Sequence, residues 1–141
     1  MKKLILFFGV LLVCSFTVSP LSGQCDAENL SSSCISKLSD GFNFLKSYKV
    51  DGGEKDKVEY SYIFARGTQY MVNVCSGGKE ADGIVISIFD QNRNKVATNK
   101  FNNQLLTAIA FPCNATGPYY IQYTFDGSGS RCGGSALGFK R

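Results

Sequence analysis

Apolar and polar residues alternate with a period of two along most of the chain, and this alternation is the feature that most restricts its fold. It is clear in VEYSYIFA, IVISIFD and PYYIQYTF, where every second residue is apolar or aromatic. Such segments predict strands with one buried face, because successive side chains of a strand point to opposite sides. About eight of them follow residue 41, separated by turns rich in Gly, Asn and Asp. The pattern predicts an all-β fold, a two-sheet antiparallel β-sandwich of jelly-roll type.

The segment before the first strand has a helical period instead. Asp26 is a suitable N-cap, and Leu30, Cys34 and Leu38 recur every four positions. This spacing predicts a short N-terminal helix within residues 26 to 38, with these three residues on its buried face. The strand that follows is expected to bury one side, made of Phe42, Phe44, Tyr48 and Val50.

The N-terminus has the layout of a secretory signal peptide. Lys2 and Lys3 precede an apolar run from residue 4 to 13, and small residues follow up to Gly23. The apolar run is shorter than the roughly 20 residues of a membrane-spanning helix. We therefore expect a signal peptide at 1–23, of a style common in bacteria, and one domain at 24–141. The expected location is secreted or extracytoplasmic, in a periplasm or at a cell surface, without a membrane span.

Five cysteines follow the leader, and an exported chain should pair them as disulfides. They are Cys25, Cys34, Cys75, Cys113 and Cys132. Gln24 precedes Cys25 where lipid attachment requires a small residue, which argues against a lipoprotein. If the strands alternate in direction, the segments after Val74 and Phe125 emerge at one end of the sandwich. This predicts a Cys75–Cys132 bridge, with Cys113 joined to Cys34 or Cys25.

The composition argues against most catalytic and metal-dependent functions. The chain has no histidine, so a serine or cysteine nucleophile would lack its usual base. Its cysteines are not closely paired, so no zinc site is predicted. After removal of Lys2 and Lys3 the positive charge barely exceeds the negative, which gives no reason to expect a nucleic-acid partner. No cofactor is expected. The alternative is a calcium ion bound by carboxylates of the loops.

Three loops rich in glycine and charge are the candidate contact surface. They span 51–57, 76–83 and 126–134, and the last two are expected to share one end of the sandwich. Their carboxylates Glu80, Asp82 and Asp126 could bind a ligand or calcium, although interleaved lysines oppose a cation. Tyr120 is the tyrosine expected to face outward, where its ring could stack on a sugar. Core or rim packing is the simpler interpretation of that ring.

The order of segments from residue 58 to 125 resembles a known family. EYSYIFARGTQYMVNV is followed by IVISIFD, NRNKVAT, AIAF and ATGPYYIQYTF, with turn glycines at Gly67 and Gly117. This order is similar to the bacterial pre-peptidase C-terminal domain, a jelly-roll β-sandwich attached to secreted enzymes. The resemblance implies an extracellular, non-catalytic accessory module without identifying its ligand.

These observations favour a secreted, non-catalytic binding or accessory module whose ligand is an extracellular glycan or protein. The alternative is a structural or assembly component of a cell-surface complex, for which the odd cysteine would provide a covalent link. A small hydrolase is the least favoured function, because no catalytic motif is present. The oligomeric state is left open by the sequence.

Overall fold

A computed structural model describes residues 24–77, 80–127 and 129–141, so the predicted signal peptide lies outside the described residues. It contains one helix, α1 (Ala27–Ile35). The strands are β1 (Asn43–Asp51), β2 (Lys57–Phe64), β3 (Gln69–Asn73), β4 (Ile84–Phe89), β5 (Lys95–Thr98), β6 (Lys100–Phe101), β7 (Gln104–Leu105), β8 (Ala108–Pro112), β9 (Gly117–Phe125) and β10 (Cys132–Lys140).

Two four-stranded antiparallel sheets form the sandwich. Sheet 1 has the order β1-β10-β3-β8, and sheet 2 has the order β2-β9-β4-β5. The first strand pairs with the last, the second with β9, the third with β8, and β4 with β5. This nested pairing is the jelly-roll arrangement. The predicted fold class is confirmed, and β6 and β7 form an additional small hairpin.

The inward sides of both sheets build one apolar core. Its fully buried side chains include Phe64, Ile86, Ile121, Tyr123 and Leu137. These residues occupy the apolar positions of the sequence alternation, because only one face of each strand points between the sheets. Tyr123 is completely enclosed, and its hydroxyl donates to Ser135 Oγ at 2.6 Å. Burial therefore holds the pKa of the Tyr123 hydroxyl well above its ordinary value, against the opposing effect of this hydrogen bond.

The start of β1 departs from the predicted face. A register shift lies between Phe44 and Lys46 in the pairing of β1 with β10. Leu45 packs against the core instead of Phe44, whose side chain is 44% exposed. The prediction that Phe44 is buried was wrong. The bulge adds one residue to β1, so the alternation before it is reversed and Phe44 lies on the outer face. Tyr48 and Val50 lie beyond the bulge and are buried as predicted.

Helix α1 packs against the outer side of sheet 1, over β10 and β1. Asp26 is its N-cap, as predicted, and one carboxylate oxygen accepts from the backbone N–H of Asn29 at 3.3 Å. The buried residues of the helix are Ala27, Ser31 and Cys34, so Cys34 alone of the predicted face is fully buried. Gly134 of β10 lies directly under this face, which lets the helix backbone approach the sheet closely.

The disulfides differ from the predicted pairs. The bridges are Cys25–Cys132 and Cys34–Cys75, with Cα atoms 5.4 and 5.6 Å apart, and Cys113 is a free, buried thiol. Cys75 follows the inward-facing Val74, so its side chain points out of sheet 1 and meets Cys34 under α1. The predicted Cys75–Cys132 bridge was wrong. The direction of the strands indicates only which end of the sandwich a cysteine occupies, whereas the pairing also depends on the face of the sheet to which its side chain points.

The predicted bridge from Cys113 to Cys34 or Cys25 was also wrong. Cys113 lies at the opposite end of the sandwich from Cys132, where its backbone N–H bonds to the Thr68 carbonyl. Its Sγ atom contacts the Ala115 carbonyl at 3.1 Å and lies 3.7 Å from the Tyr119 hydroxyl. The N-terminal segment packs over β10 and does not approach this position, so Cys113 behaves as a small core residue.

Replacing Gly134 with alanine is expected to destabilise the docking of α1. A Cβ atom at this position would lie 2.0 Å from the Ser31 nitrogen and 2.3 Å from its Cα. Both atoms belong to the helix backbone, so the helix must move, and overpacking of this kind costs about 1 to 3 kcal/mol. Thermal unfolding of Gly134→Ala should show this loss, whereas Gly77→Ala should not, because no atom lies within 4 Å of its Cβ position.

Candidate functional site

Four connections meet at one end of the sandwich, which we call the loop end. They are the loops 51–57, 76–83 and 126–131 and the hairpin segment 99–107. The backbone N–H of Gly52 donates to the Arg131 carbonyl at 2.8 Å, and that of Asp126 to the Gly83 carbonyl at 2.7 Å. The prediction that the 76–83 and 126–134 loops share an end is therefore confirmed by direct contacts between them.

Two of the three candidate carboxylates hold these loops together. Asp82 accepts from the Ser130 backbone N–H at 3.2 Å and from its hydroxyl at 2.8 Å. Asp126 forms an ion pair with Lys100 at 2.6 Å. Glu80 is exposed, and its backbone carbonyl accepts from the Ser76 hydroxyl. Asp82 and Asp126 thus link the loops to each other and to the hairpin, while Glu80 faces solvent.

The hairpin segment 99–107 is fixed to both sheets by its first and last residues. Asn99 is completely buried, and its side-chain oxygen accepts from the Ile86 backbone N–H at 2.7 Å. Its side-chain nitrogen donates to the carbonyls of Ile84 at 3.1 Å and Leu106 at 2.9 Å. The carbonyl of Thr107 then accepts from the Val74 backbone N–H of sheet 1 at 2.8 Å.

This hairpin segment exposes two large apolar side chains, Phe101 next to the turn and Leu106 at the base. Asn102 and Asn103 form the turn between β6 and β7 with φ of 49° and 60°, values that asparagine tolerates better than most residues. Phe101 is 67% exposed and Leu106 is 50% exposed. The chain leaves the hairpin at Leu106 before it enters β8.

An open groove of about 680 Å³ lies between the hairpin and the 80–83 loop. Glu80 and Asp82 line one side, and Asn103, Leu105 and Leu106 line the other. One side of the groove therefore carries two carboxylates, and the other combines two leucines with the polar Asn103, Gln104 and Thr107. Backbone hydrogen bonds join both walls to the sheets, from Asp126 to the Gly83 carbonyl and from Val74 to the Thr107 carbonyl.

Tyr120 lies on the outer face of sheet 2, as predicted, but its ring face is covered. The guanidinium carbon of Arg93 lies 3.7 Å from the ring centroid. Arg93 Nη1 also contacts both carboxylate oxygens of Glu59, at 2.9 and 3.0 Å, and Gln122 donates to the same carboxylate at 3.0 Å. A sugar could stack on Tyr120 only after displacing this arginine from its cation–π contact.

The pKa of Glu59 reflects this network. Partial burial acts to raise the pKa of its carboxyl, but the hydrogen bonds from Arg93 and Gln122 and the arginine charge outweigh burial, so the pKa is lowered. The carboxylate stays ionised at neutral pH and holds Arg93 over the tyrosine ring. The outer face of sheet 2 is thus an internally satisfied polar surface here.

The described part of the chain contains no group of three or more His, Cys, Asp or Glu side chains that could hold a metal ion. Lys100 already neutralises Asp126, and Ser130 engages Asp82, so these carboxylates are committed to other partners. No helix within the described ranges is long and apolar enough to cross a membrane.

Sequence reasoning missed Asn99 and Phe101 as important residues of the loop end. The segment KFNNQLL contains the only signal, which is a pair of asparagines between Phe101 and Leu105. That pair is typical of a tight turn in a hairpin. Nothing local distinguishes Asn99 from the other asparagines, because its role depends on backbone groups of β4.

No family model matches this chain, and no curated protein matches it. Among solved structures it is similar to the crystal structure of Aeromonas hydrophila PliG, a periplasmic lysozyme inhibitor of g-type lysozyme. The two chains are 16% identical with a TM-score of 0.46, and the match covers 73% of this chain and 91% of the other. A likeness at this level carries no information about a ligand or partner of this chain.

Proposed function

We propose that this chain is a secreted, non-catalytic module that binds an extracellular protein through the loop end, with the hairpin segment 99–107 as the main contact. One observation carries the proposal: Phe101 is 67% exposed at the tip of a hairpin that is anchored to both sheets. Exposed aromatic side chains are enriched in protein interfaces.

The energetics favour this hairpin over the other loops. Burying a phenylalanine side chain stabilises a complex by about 1.5 to 3 kcal/mol through the hydrophobic effect alone. The buried Asn99 and the Lys100–Asp126 ion pair already order the hairpin, so little conformational entropy is lost on binding. Leu106, also exposed, lies at the base of the same hairpin and would extend the apolar contact.

A protein partner suits this surface better than a glycan. Phe101 and Leu106 bring no hydrogen-bonding group to a sugar, whereas both fit an apolar pocket on a folded protein. Tyr120, the candidate for stacking on a sugar, is covered by Arg93. The exposed Glu80 at the rim of the groove would then steer a partner that carries positive charge around its pocket.

The remaining features fit a non-catalytic role outside the cytoplasm. The chain has no histidine, and the free thiol of Cys113 is buried. Two disulfides suit an oxidising compartment, in agreement with the predicted signal peptide. An assembly component joined through the odd cysteine is less well supported, since the thiol that would form such a link lies in the core.

The proposal is tested by substituting the hairpin tip. Phe101→Ser should weaken binding to the protein partner by about thirtyfold or more, the loss that corresponds to a hot-spot residue. The matched control is Val96→Ser, which changes another exposed apolar residue, 38% accessible, on β5. Wild type and both variants would be immobilised in parallel to identify a partner, which is then purified for titration by calorimetry.

Two results would contradict this function. A purified partner that binds Phe101→Ser and wild type equally would exclude the hairpin as the contact. Binding to a glycan array that survives the same substitution would favour the carbohydrate ligand instead. Equal melting temperatures for the three proteins would show that neither outcome results from unfolding.

A further inference from the structure

The two sheets present four edge strands, and three of them are protected against pairing. β5 has only four residues, and β8 ends in Pro112. β1 carries a bulge and the charged residues Lys46 and Lys49, and the Tyr60 hydroxyl donates to the Lys49 carbonyl at 2.6 Å. Short length, proline, bulges and lysines are the usual devices that stop an edge strand from pairing with another chain.

β2 has none of these devices over most of its length. It pairs regularly with β9 through all eight residues from Lys57 to Phe64, without proline and without a register shift. Its last five residues, from Tyr60 onward, carry no charge. Ser61 is exposed, Ile63 is 61% exposed, and the inward-facing Tyr60 and Tyr62 are only half buried.

We propose that β2 pairs antiparallel with β2 of a second copy of this chain, which joins the two copies of sheet 2 into one continuous eight-stranded sheet. A two-fold axis between the Ser61 residues of the two copies would pair β2 with its counterpart along nearly its whole length. This register places Tyr60 of each copy opposite Tyr62 of the other on the inward side, and aromatic pairs of this kind stabilise antiparallel strands.

The charged residues of β2 are compatible with the same register. Lys57 and Glu59 lie among its first three residues, and the register places them opposite Ala65 and Ile63 of the other copy, so no like charges face each other. Tyr60 and Tyr62 flank Ser61 symmetrically, so each copy supplies the tyrosines that cover those of the other. This self-complementarity favours a second copy over an unrelated strand as the occupant of the edge.

The pairing is independent of the proposed hairpin contact. The loop 51–57 at the loop end leads directly into β2, so antiparallel pairing directs the two loop ends away from each other. Each hairpin would remain accessible in the dimer. A failure of one proposal therefore leaves the other standing, because they use different residues on different parts of the sandwich.

A charge exchange at the two-fold axis tests the dimer. Sedimentation equilibrium of the wild-type protein should show a reversible monomer–dimer equilibrium. Ser61→Glu and Ser61→Lys should each weaken dimerisation, about fivefold at the upper range for like charges directly opposed. A mixture of the two variants should associate more strongly than either alone, because the opposed charges are then unlike. Val96→Lys on β5 is the control and should dimerise as wild type does.

Hydrogen exchange provides the second measurement. The backbone amides of residues 58 to 64 should become more protected as the protein concentration rises through the dissociation constant, and those of β5 should not. A protein that is monomeric at every concentration would overturn the proposal. The edge of β2 would then be free to pair with a strand of another protein. Dimerisation that is unaffected in both Ser61 variants, or that is lost in Phe101→Ser, would overturn it equally.

Discussion

Replacing both Cys25 and Cys132 with serine is expected to lower the free energy of unfolding by roughly 4 to 5 kcal/mol. This disulfide joins residues separated by 107 positions and therefore closes nearly the whole described chain. A cross-link over so long a loop removes much of the conformational entropy of the unfolded state. The loss is a large share of the 5 to 15 kcal/mol that stabilises an ordinary domain.

Urea denaturation at equilibrium, followed by circular dichroism, would measure this effect. Cys25→Ser alone should lose about as much stability as the double variant, because either change opens the same loop. A loss below about 1 kcal/mol in both would contradict the expected role of the bridge. A peptide map under non-reducing conditions should join Cys25 to Cys132 and Cys34 to Cys75, and a Cys75–Cys132 peptide would contradict this connectivity.

Asn99→Ala is expected to cost roughly 3 kcal/mol or more of folding stability. The substitution leaves the Ile86 backbone N–H and the carbonyls of Ile84 and Leu106 without their side-chain partner. Asn99 is completely buried, so these groups lose a hydrogen bond that water cannot readily replace, at about 1 to 3 kcal/mol for each unsatisfied group. Thermal and urea unfolding would measure the loss.

The same variant should also loosen the hairpin. The amide of Leu106, which donates to the Asn99 carbonyl at 2.9 Å, should exchange faster with solvent, and binding of a partner through Phe101 should weaken. Asn114→Ala is the control, since Asn114 is exposed in the turn at the opposite end of the sandwich. Unchanged stability and unchanged exchange at Leu106 would show that Asn99 does not hold the hairpin.

Much of the fold was predictable from local patterns. The alternation in PYYIQYTF placed Tyr119, Ile121 and Tyr123 in the core, and the structure buries all three. Asp26 at the start of a helical period gave the correct N-cap. These predictions succeeded because a strand or helix face is determined by residues close together in the chain.

The candidate site was predictable only in part. Glycine and charge correctly marked the loops that meet at one end, but Asp82 and Asp126 proved to hold those loops together. Tyr120 faces outward, yet Arg93 from a distant turn covers its ring. Asn99 and Phe101 were missed, because the burial of one and the exposure of the other depend on strands remote in sequence.

The sequence by itself determined the class of the protein: antiparallel strands with one apolar face, a short capped helix, and cysteines suited to an exported domain. These properties follow from the period of apolar residues and from local turn and capping chemistry. Only the tertiary structure decided the cysteine pairs, the bulge at Leu45, the cover over Tyr120 and the exposed hairpin tip. Each of these features depends on contacts between elements that are far apart in the chain. A periodic pattern shows which face of an element is apolar, but not which other element packs against that face.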